Sequence, residues 1–388
     1  LKIIAKTLEG LEELLASEIA VLGGTDIQVL RRAVLFDGDK KLLYASNLRL
    51  RTCLRVLVFM QEFSVRNEAD LYEQIKAIKW EEYFSTSETF AIDSVVQSEY
   101  FRHSNYVALK CKDAIADRFR EKYGERPSVD VQHPDIRINV HIRDKIVTVS
   151  LDSSGSSLHM RGYRKNQVEA PLNEVLAAGL ILHSGWEGET AFIDPMCGSG
   201  TILCEAGFIA GNIAPQRPDR HFAFKKWKSF DPELYEMVCE SAKSEERRNN
   251  IPPIAGFDKD IRAVQIAREN IAAAGLEEKI VVEQEDFFFL EGRDDATLIF
   301  NPPYDIRLKE KEVLNFYKHI GDKLKLSFQG CKAWIFSGHP EGLKNVGLKG
   351  SRKKQLLNGK IPSMFMMFEL YSGSKKQKWV DKYGGLNE

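Results

Sequence analysis

The sequence predicts an α/β chain: a twisted parallel sheet with helices on both faces, preceded by two small α+β units. Three observations carry this. From about residue 172 onward, strand-like apolar runs alternate with helical ones, the pattern of a doubly wound sheet. Before residue 160, short strands and helices form two groups of similar size. At 388 residues the chain is also longer than a single ordinary core favours.

The first group opens with KIIAKTLEGLEELLASEIAVLGG. A short strand leads into a helix with Leu11, Leu14, Leu15, Ile19 and Leu22 at helical spacing, and Gly23-Gly24 ends it. IQVLRRAVLFDG follows as a strand or hairpin, DKKLLYASNLRL as a helix and RVLVFMQEFSV as a strand, so residues 1–65 make one unit. The second group spans 66–160. EADLYEQIKAI reads as a helix, TFAIDSVVQSEY as a strand, and NYVALKCKDAIADRFREKYG as a helix closed by Gly124. Two strands complete it, with Val131, Ile136, Ile138, Val140 and Ile142 alternating and Asp144-Lys145 at the turn.

Residues 161–388 form the third unit. A helix over 172–183 precedes TAFIDPMCGSGTILCEAGFIA and IAGFDKDIRAVQIARENIAAAG, each a strand, a turn and a helix. KIVVEQEDFFFL, ATLIFNPPYDI and CKAWIFSG supply further strands. An aromatic, basic segment over 211–250 interrupts the alternation. Phe222, Phe224, Lys225, Lys226 and Trp227 suit either unpaired RNA bases or packing against the sheet.

Composition sets outer limits. An apolar content of 43% and a charged content of 29% describe a globular protein. No apolar run approaches the ~20 residues of a membrane span, and LKIIAKTLEGLEELL carries acids too early for a signal peptide. Six cysteines (53, 111, 197, 204, 239 and 331) lie scattered without CxxC or an adjoining His cluster. That argues against zinc or disulfides and for a reduced, cytoplasmic setting with no metal and no membrane partner. The net charge of −1 gives no general nucleic-acid footprint. Residues 342–360 nevertheless hold Lys344, Lys349, Arg352, Lys353, Lys354 and Lys360 without one acid, a run read as a solvated loop.

The chemistry gathers at strand ends, where open α/β sheets bind ligands. FIDPMCGSGT runs a strand into Asp194 and a Gly-Ser-Gly turn ahead of an apolar helix. Gly198 and Gly200 let the backbone approach a ligand closely, and the helix start offers N–H donors. The turn lacks the lysine of a P-loop, so it suits a nucleoside-bearing cofactor better than a triphosphate. Asp258 ends the next strand, where a carboxylate suits ribose hydroxyls. Asp286 ends a third, where it suits an adenine amine with Phe287 flanking the ring. A single Asp here would read as a helix cap; three in succession, followed by NPPY, do not.

NPPY suits a flat base with an exocyclic amine. The Asn301 side-chain oxygen and the Pro302 carbonyl can each accept one N–H, turning the nitrogen lone pair out of the ring. Pro302 and Pro303 hold the backbone rigid, and Tyr304 offers a stacking face worth ~1–3 kcal/mol. Cys197 reads as a small packing residue, not a nucleophile. His159 and His183 read as structural.

DPMCGSGT, FDKD, EDFF and NPPY, in that order, resemble the motifs of S-adenosylmethionine-dependent amino-methyltransferases, over residues 158–370. HMRGYR…APLNEVLAAGLI resembles the segment those enzymes place before the glycine turn. The front units resemble a ferredoxin-like domain and a THUMP domain, an RNA-binding module. Together they resemble bacterial THUMP-containing guanine-N2 methyltransferases of 23S ribosomal RNA.

The resemblance implies a Rossmann-like seven-stranded methyltransferase domain behind ferredoxin-like and THUMP domains, with S-adenosyl-L-methionine as cofactor. Asn301, Pro302, Pro303 and Tyr304 match the catalytic motif. Cofactor contacts are implied for Asp194, Pro195, Cys197, Gly198, Gly200, Thr201, Asp258, Lys259, Asp286, Phe287 and Asn301. RNA, as 23S rRNA or an assembly intermediate, is the implied partner, with Arg161, Arg164, Arg307, Lys353 and Lys354 as contact candidates. Arg161 and Arg164 equally suit a domain junction.

Two departures stand out. Asp305-Ile306-Arg307-Leu308 replaces the usual Gly-Glu-Arg-Leu after NPPY, and Asn173 stands where a basic residue is usual. The motif is shared by N6-adenine, N4-cytosine and N2-guanine enzymes. A tRNA guanine-N2 enzyme and an N6-adenine enzyme on DNA or RNA therefore stay open, as does a non-catalytic RNA-binding assembly protein.

Overall fold

The computed structural model describes residues 1–164, 171–303 and 310–371. It divides into two compact units, Leu1–Met160 with Gln216–Ser244, and Arg161–Pro215 with Glu245–Glu388.

The first unit is built on one continuous sheet. Its elements are β1 (Lys2–Lys6), α1 (Glu12–Val21), β2 (Thr25–Leu30), β3 (Ala33–Asp37), α2 (Lys40–Arg49) and β4 (Arg55–Ser64). α3 (Glu68–Ala77), β5 (Phe90–Gln97), α4 (Ser104–Tyr123), β6 (Ile136–Arg143) and β7 (Ile146–Asp152) follow. The strand order is β2-β3-β1-β4-β7-β6-β5. The long strand β4 joins the two α+β groups: it pairs with β1 through Lys6↔Arg55 and with β7 through Leu57↔Asp152.

Alternation along β6 sends Ile136, Ile138, Val140 and Ile142 into a core with Trp80, Phe84 and Phe119. Val131, expected in that strand, is 71% exposed and precedes it. The Asp130 carboxylate accepts the Gln132 and His133 N–H groups at 2.9 Å each, a turn that replaces ladder bonds.

The second unit holds α5 (Glu174–Ser184), β8 (Ala191–Asp194) and α6 (Thr201–Ala210). The next helix, α7 (Pro232–Ser244), belongs to the first unit. β9 (Ile254–Asp258), α8 (Ile261–Ala273), β10 (Ile280–Gln284), β11 (Ala296–Phe300), α9 (Glu310–Ser327), β12 (Lys332–Ser337) and α10 (Pro340–Asn345) continue the second. β13 (Gly350–Asn358) and β14 (Ile361–Glu369) close it. The sheet order is β10-β9-β8-β11-β12-β14-β13, parallel from β10 to β12 and antiparallel from β12 onward. This is the seven-stranded, Rossmann-like sheet expected, with the strand order switching sides between β8 and β11.

Of the two readings open for the aromatic segment over 211–250, the side chains favour packing. Phe222 and Phe224 are 2% and 1% exposed, stacked 5.1 Å apart, and Tyr44 of α2 lies 4.6 Å from Phe224. Each buried ring contributes ~1.5–3 kcal/mol to the packing. Lys225 donates to the carbonyls of Pro218 and Arg220, Lys226 pairs with Asp135 at 3.6 Å, and Trp227 packs on the Trp80 core. Gln216–Ser244 of this segment thus belongs to the first unit, and its two ends to the second.

Candidate active site

The glycine turn leaves β8 at Asp194 and enters α6 at Thr201. Cys197 donates its backbone N–H to the Phe257 carbonyl at 2.9 Å, tying the turn to the end of β9. Gly198 donates to Asp258 Oδ2 at 3.0 Å, and Asp260 donates to Asp258 Oδ1 at 2.9 Å. One carboxylate thus joins two strand ends and keeps lone pairs on both oxygens. Asn270, buried on α8, donates to the Ser199 carbonyl at 3.0 Å and braces the turn from beneath.

Gly198 has φ +52° and Gly200 φ +77°, a region that side chains avoid. Their surroundings differ. A Cβ on Gly200 would stand 3.1 Å from the Ala267 Cβ, whereas one on Gly198 would meet nothing within 4 Å. Gly200 serves the close approach of α8, and Gly198 borders open space, which fits a ligand crossing the turn.

Asp194 is 1% exposed and accepts the Met196 N–H at 3.2 Å. Burial holds its carboxyl well above the usual range, the Met196 bond opposes that, and the nearby Asp258 charge adds to it. Asp286 is half-buried and accepts the Phe288 N–H at 3.0 Å. Pro195 is buried and Lys259 exposed at the same strand ends.

Asn301 follows β11 directly. β11 pairs with β8 through Leu298↔Ile193, so carrying the register forward puts Asn301 beside Met196, one strand from the glycine turn. Its Oδ1 is shielded from solvent and has no hydrogen-bond partner among the described residues. Such an atom is rare in native structures and fits an incoming N–H. Pro302 is buried and Pro303 exposed. Tyr304 and Arg307 lie outside the described residues.

Several expected roles change. The Phe287 ring is 2% exposed, 5.8 Å from Phe300 and stacked 6.1 Å from Phe328, so the ring packs in the core. Cys197 is 7% exposed, and burial pushes its thiol well above the ordinary value, as a packing residue requires. Arg161 is no surface contact: its side chain is fully buried against Glu205, which is also fully buried, at 3.3 Å. Arg164 donates to Thr201 Oγ1 at 2.9 Å and to the Leu172 carbonyl at 2.8 Å, with Glu174 at 3.4 Å. It clamps the starts of α5 and α6 together, so Thr201 is tied to an arginine. Both arginines suited RNA or a domain junction equally in the sequence, because isolated cations carry no sign of their partners.

Asn173 caps α5, accepting N–H groups from Val175 and Leu176 at 3.0 and 3.3 Å. Lys353 is exposed and Lys354 half-buried on β13, an edge strand where a loop was expected. The bracing role of Asn270 was missed; a polar residue on the apolar stripe of ARENIAAAG is its only sequence signal.

Known families match the chain in three successive stretches. Residues 161–366 match the family described as RMKL-like, methyltransferase domain; residues 65–152 match the THUMP domain, and residues 2–57 the RlmL ferredoxin-like domain. An RNA methyltransferase candidate of Synechocystis sp. is 40% identical over 95% of this chain and 96% of its own length. The ribosomal RNA large subunit methyltransferase K/L of Syntrophotalea carbinolica is 37% identical over 95% of this chain and 54% of its own. The chain thus spans about half the length of that relative. A solved methyltransferase candidate complexed with SAH superposes with a TM-score of 0.86 at 30% identity, covering 96% of this chain and 99% of that one.

Proposed function

Since the chain belongs to the RMKL-like methyltransferase family, we propose that it methylates the exocyclic N2 of a guanine in RNA, with large-subunit ribosomal RNA as substrate. Its cofactor is S-adenosylmethionine, in keeping with the SAH-bound structural relative. The observation that carries the reading is the buried, unpartnered Asn301 Oδ1, one strand from the Gly198 turn. The THUMP domain ahead of it supports RNA over DNA.

When bound, S-adenosylmethionine supplies an electrophilic methyl group on a sulfonium. The chain's own residues account for the rest. Gly198 leaves the turn open to the cofactor, Asp258 accepts from ribose hydroxyls, and Asp286 accepts from the adenine amine. On the substrate side, Asn301 Oδ1 takes one hydrogen of the guanine amine and the Pro302 carbonyl takes the other. That withdraws the nitrogen lone pair from the ring and aims it. The methylated nitrogen is a strong acid and releases its proton to water, so no general base is needed. Positioning supplies most of the acceleration, up to ~7–11 kcal/mol for well-oriented groups.

Incubation with labelled S-adenosylmethionine and separate rRNA, tRNA and duplex DNA tests this, followed by nucleoside identification. Label in N2-methylguanosine from rRNA is expected. Label in DNA adenine, or no transfer to RNA, would overturn it.

A further inference from the structure

The geometry points to the outer edge strand β13 and its turn as a track for the RNA phosphate backbone, an inference that rests on the reading above. β13 is the last strand of the second sheet, with one side unpaired. It carries Arg352, Lys353 and Lys354, and Lys349 and Lys360 flank it. Lys349, Arg352, Lys353 and Lys360 are exposed and Lys354 is half-buried. None of the five has a carboxylate partner among the described residues, whereas the neighbouring Lys344 pairs with Glu341 at 2.7 Å. Across β13, its turn and β14 the sole acid is Glu369, at the far end from the turn. The strand therefore presents three uncompensated positive charges within about 7 Å, from Arg352 to Lys354, and the turn beyond Asn358 adds Lys360.

The register shows where that line leads. β14 pairs with β12 only as far as Met364↔Ser337. Ile361 to Ser363 pair with Leu356 to Asn358 and so continue beyond the end of β12, by about 10 Å. They overhang the edge of the sheet at which β8, β9 and β11 deliver Asp194, Asp258 and Asn301. Lys360 stands at the tip of the turn, and Ile361 beside it is 47% exposed. A polyanion laid along β13 is thus guided toward the strand ends that hold the site.

Lysines on an edge strand also prevent pairing with other sheets, and that alternative makes a different prediction. A role confined to the edge leaves RNA affinity unchanged when the charges are removed. A phosphate track loses affinity and salt dependence together, because each neutralised phosphate releases counterions.

The test is the full chain carrying R352Q, K353Q and K354Q, with K360Q as a separate variant. Glutamine keeps length and polarity. Binding of labelled large-subunit rRNA is titrated across KCl concentrations, with S-adenosylmethionine affinity and the unfolding midpoint measured alongside. The triple variant should bind RNA about 10- to 100-fold more weakly near physiological salt, with the log-log salt slope shallower by about 2–3. Cofactor affinity and midpoint should match the parent. Unchanged RNA affinity and slope would overturn the track. A parent that methylates no RNA would overturn the functional reading instead, while the binding slopes still decide the track.

Discussion

Replacing Asn301 with alanine separates the proposed chemistry from a structural role, because the two predict opposite signs for stability. The Oδ1 atom is shielded from water and accepts no hydrogen bond among the described residues. An unsatisfied buried carbonyl costs about 1–3 kcal/mol. Alanine removes that cost and loses some packing, so the variant should unfold at or above the parent midpoint, with a gain of at most about 1 kcal/mol. Turnover should move the other way. Losing one preorganised partner of the reacting group typically costs 10²–10³ in rate, about 2.7–4 kcal/mol. Single-turnover methyl transfer at saturating cofactor reads the chemical step, and calorimetry should show cofactor affinity within about twofold of the parent. Asn301→Asp retains an oxygen at the same place and should recover part of the loss. Parent-like turnover in the alanine variant would refute the reasoning, as would stability and rate falling in parallel.

Other changes test the frame around that atom. Asp258→Ala removes the acceptor for Gly198 and Asp260 N–H groups at 3.0 and 2.9 Å, so calorimetry should show cofactor affinity reduced about 10- to 100-fold. Gly200→Ala places a Cβ 3.1 Å from Ala267 at φ +77° and should lower stability by about 1–3 kcal/mol, seen in the unfolding midpoint. Glu81 accepts from Arg118 Nε and Nη2 at 2.8 Å each, and these bonds, with a further one from Lys122, hold its carboxyl far below the usual range. The ionised form therefore stabilises the folded chain above the unfolded value of about 4.3, and the benefit disappears as pH falls below it. Glu81→Gln should cost about 1–2 kcal/mol in urea unfolding at neutral pH, with parent and variant converging only in acid.

What the sequence revealed and what it hid follow from the range of the interactions involved. Period and punctuation are local, so β8, β9 and β11 were legible, as were the Asp residues that end β8 and β9 and the amide that follows β11. Partners are not local. Arg161 and Arg164 read equally as RNA contacts or as domain-junction residues, because nothing nearby shows that one meets Glu205, 44 residues on, and the other Thr201, 37 residues on. Phe287 read as a purine neighbour because an aromatic after a strand-end acid is equally suited to ligand and core. Its packing on Phe328 comes from the residue just after α9, 41 positions later. The basic run over 342–360 read as a loop because lysines disfavour buried strands, yet an edge strand tolerates them on its open side. The Asn358-Gly359 pair was a hairpin signal there, with Gly359 at φ +62°. Charge masked it: the same cations that hid β13 from a propensity reading are what make its edge a surface for a polyanion.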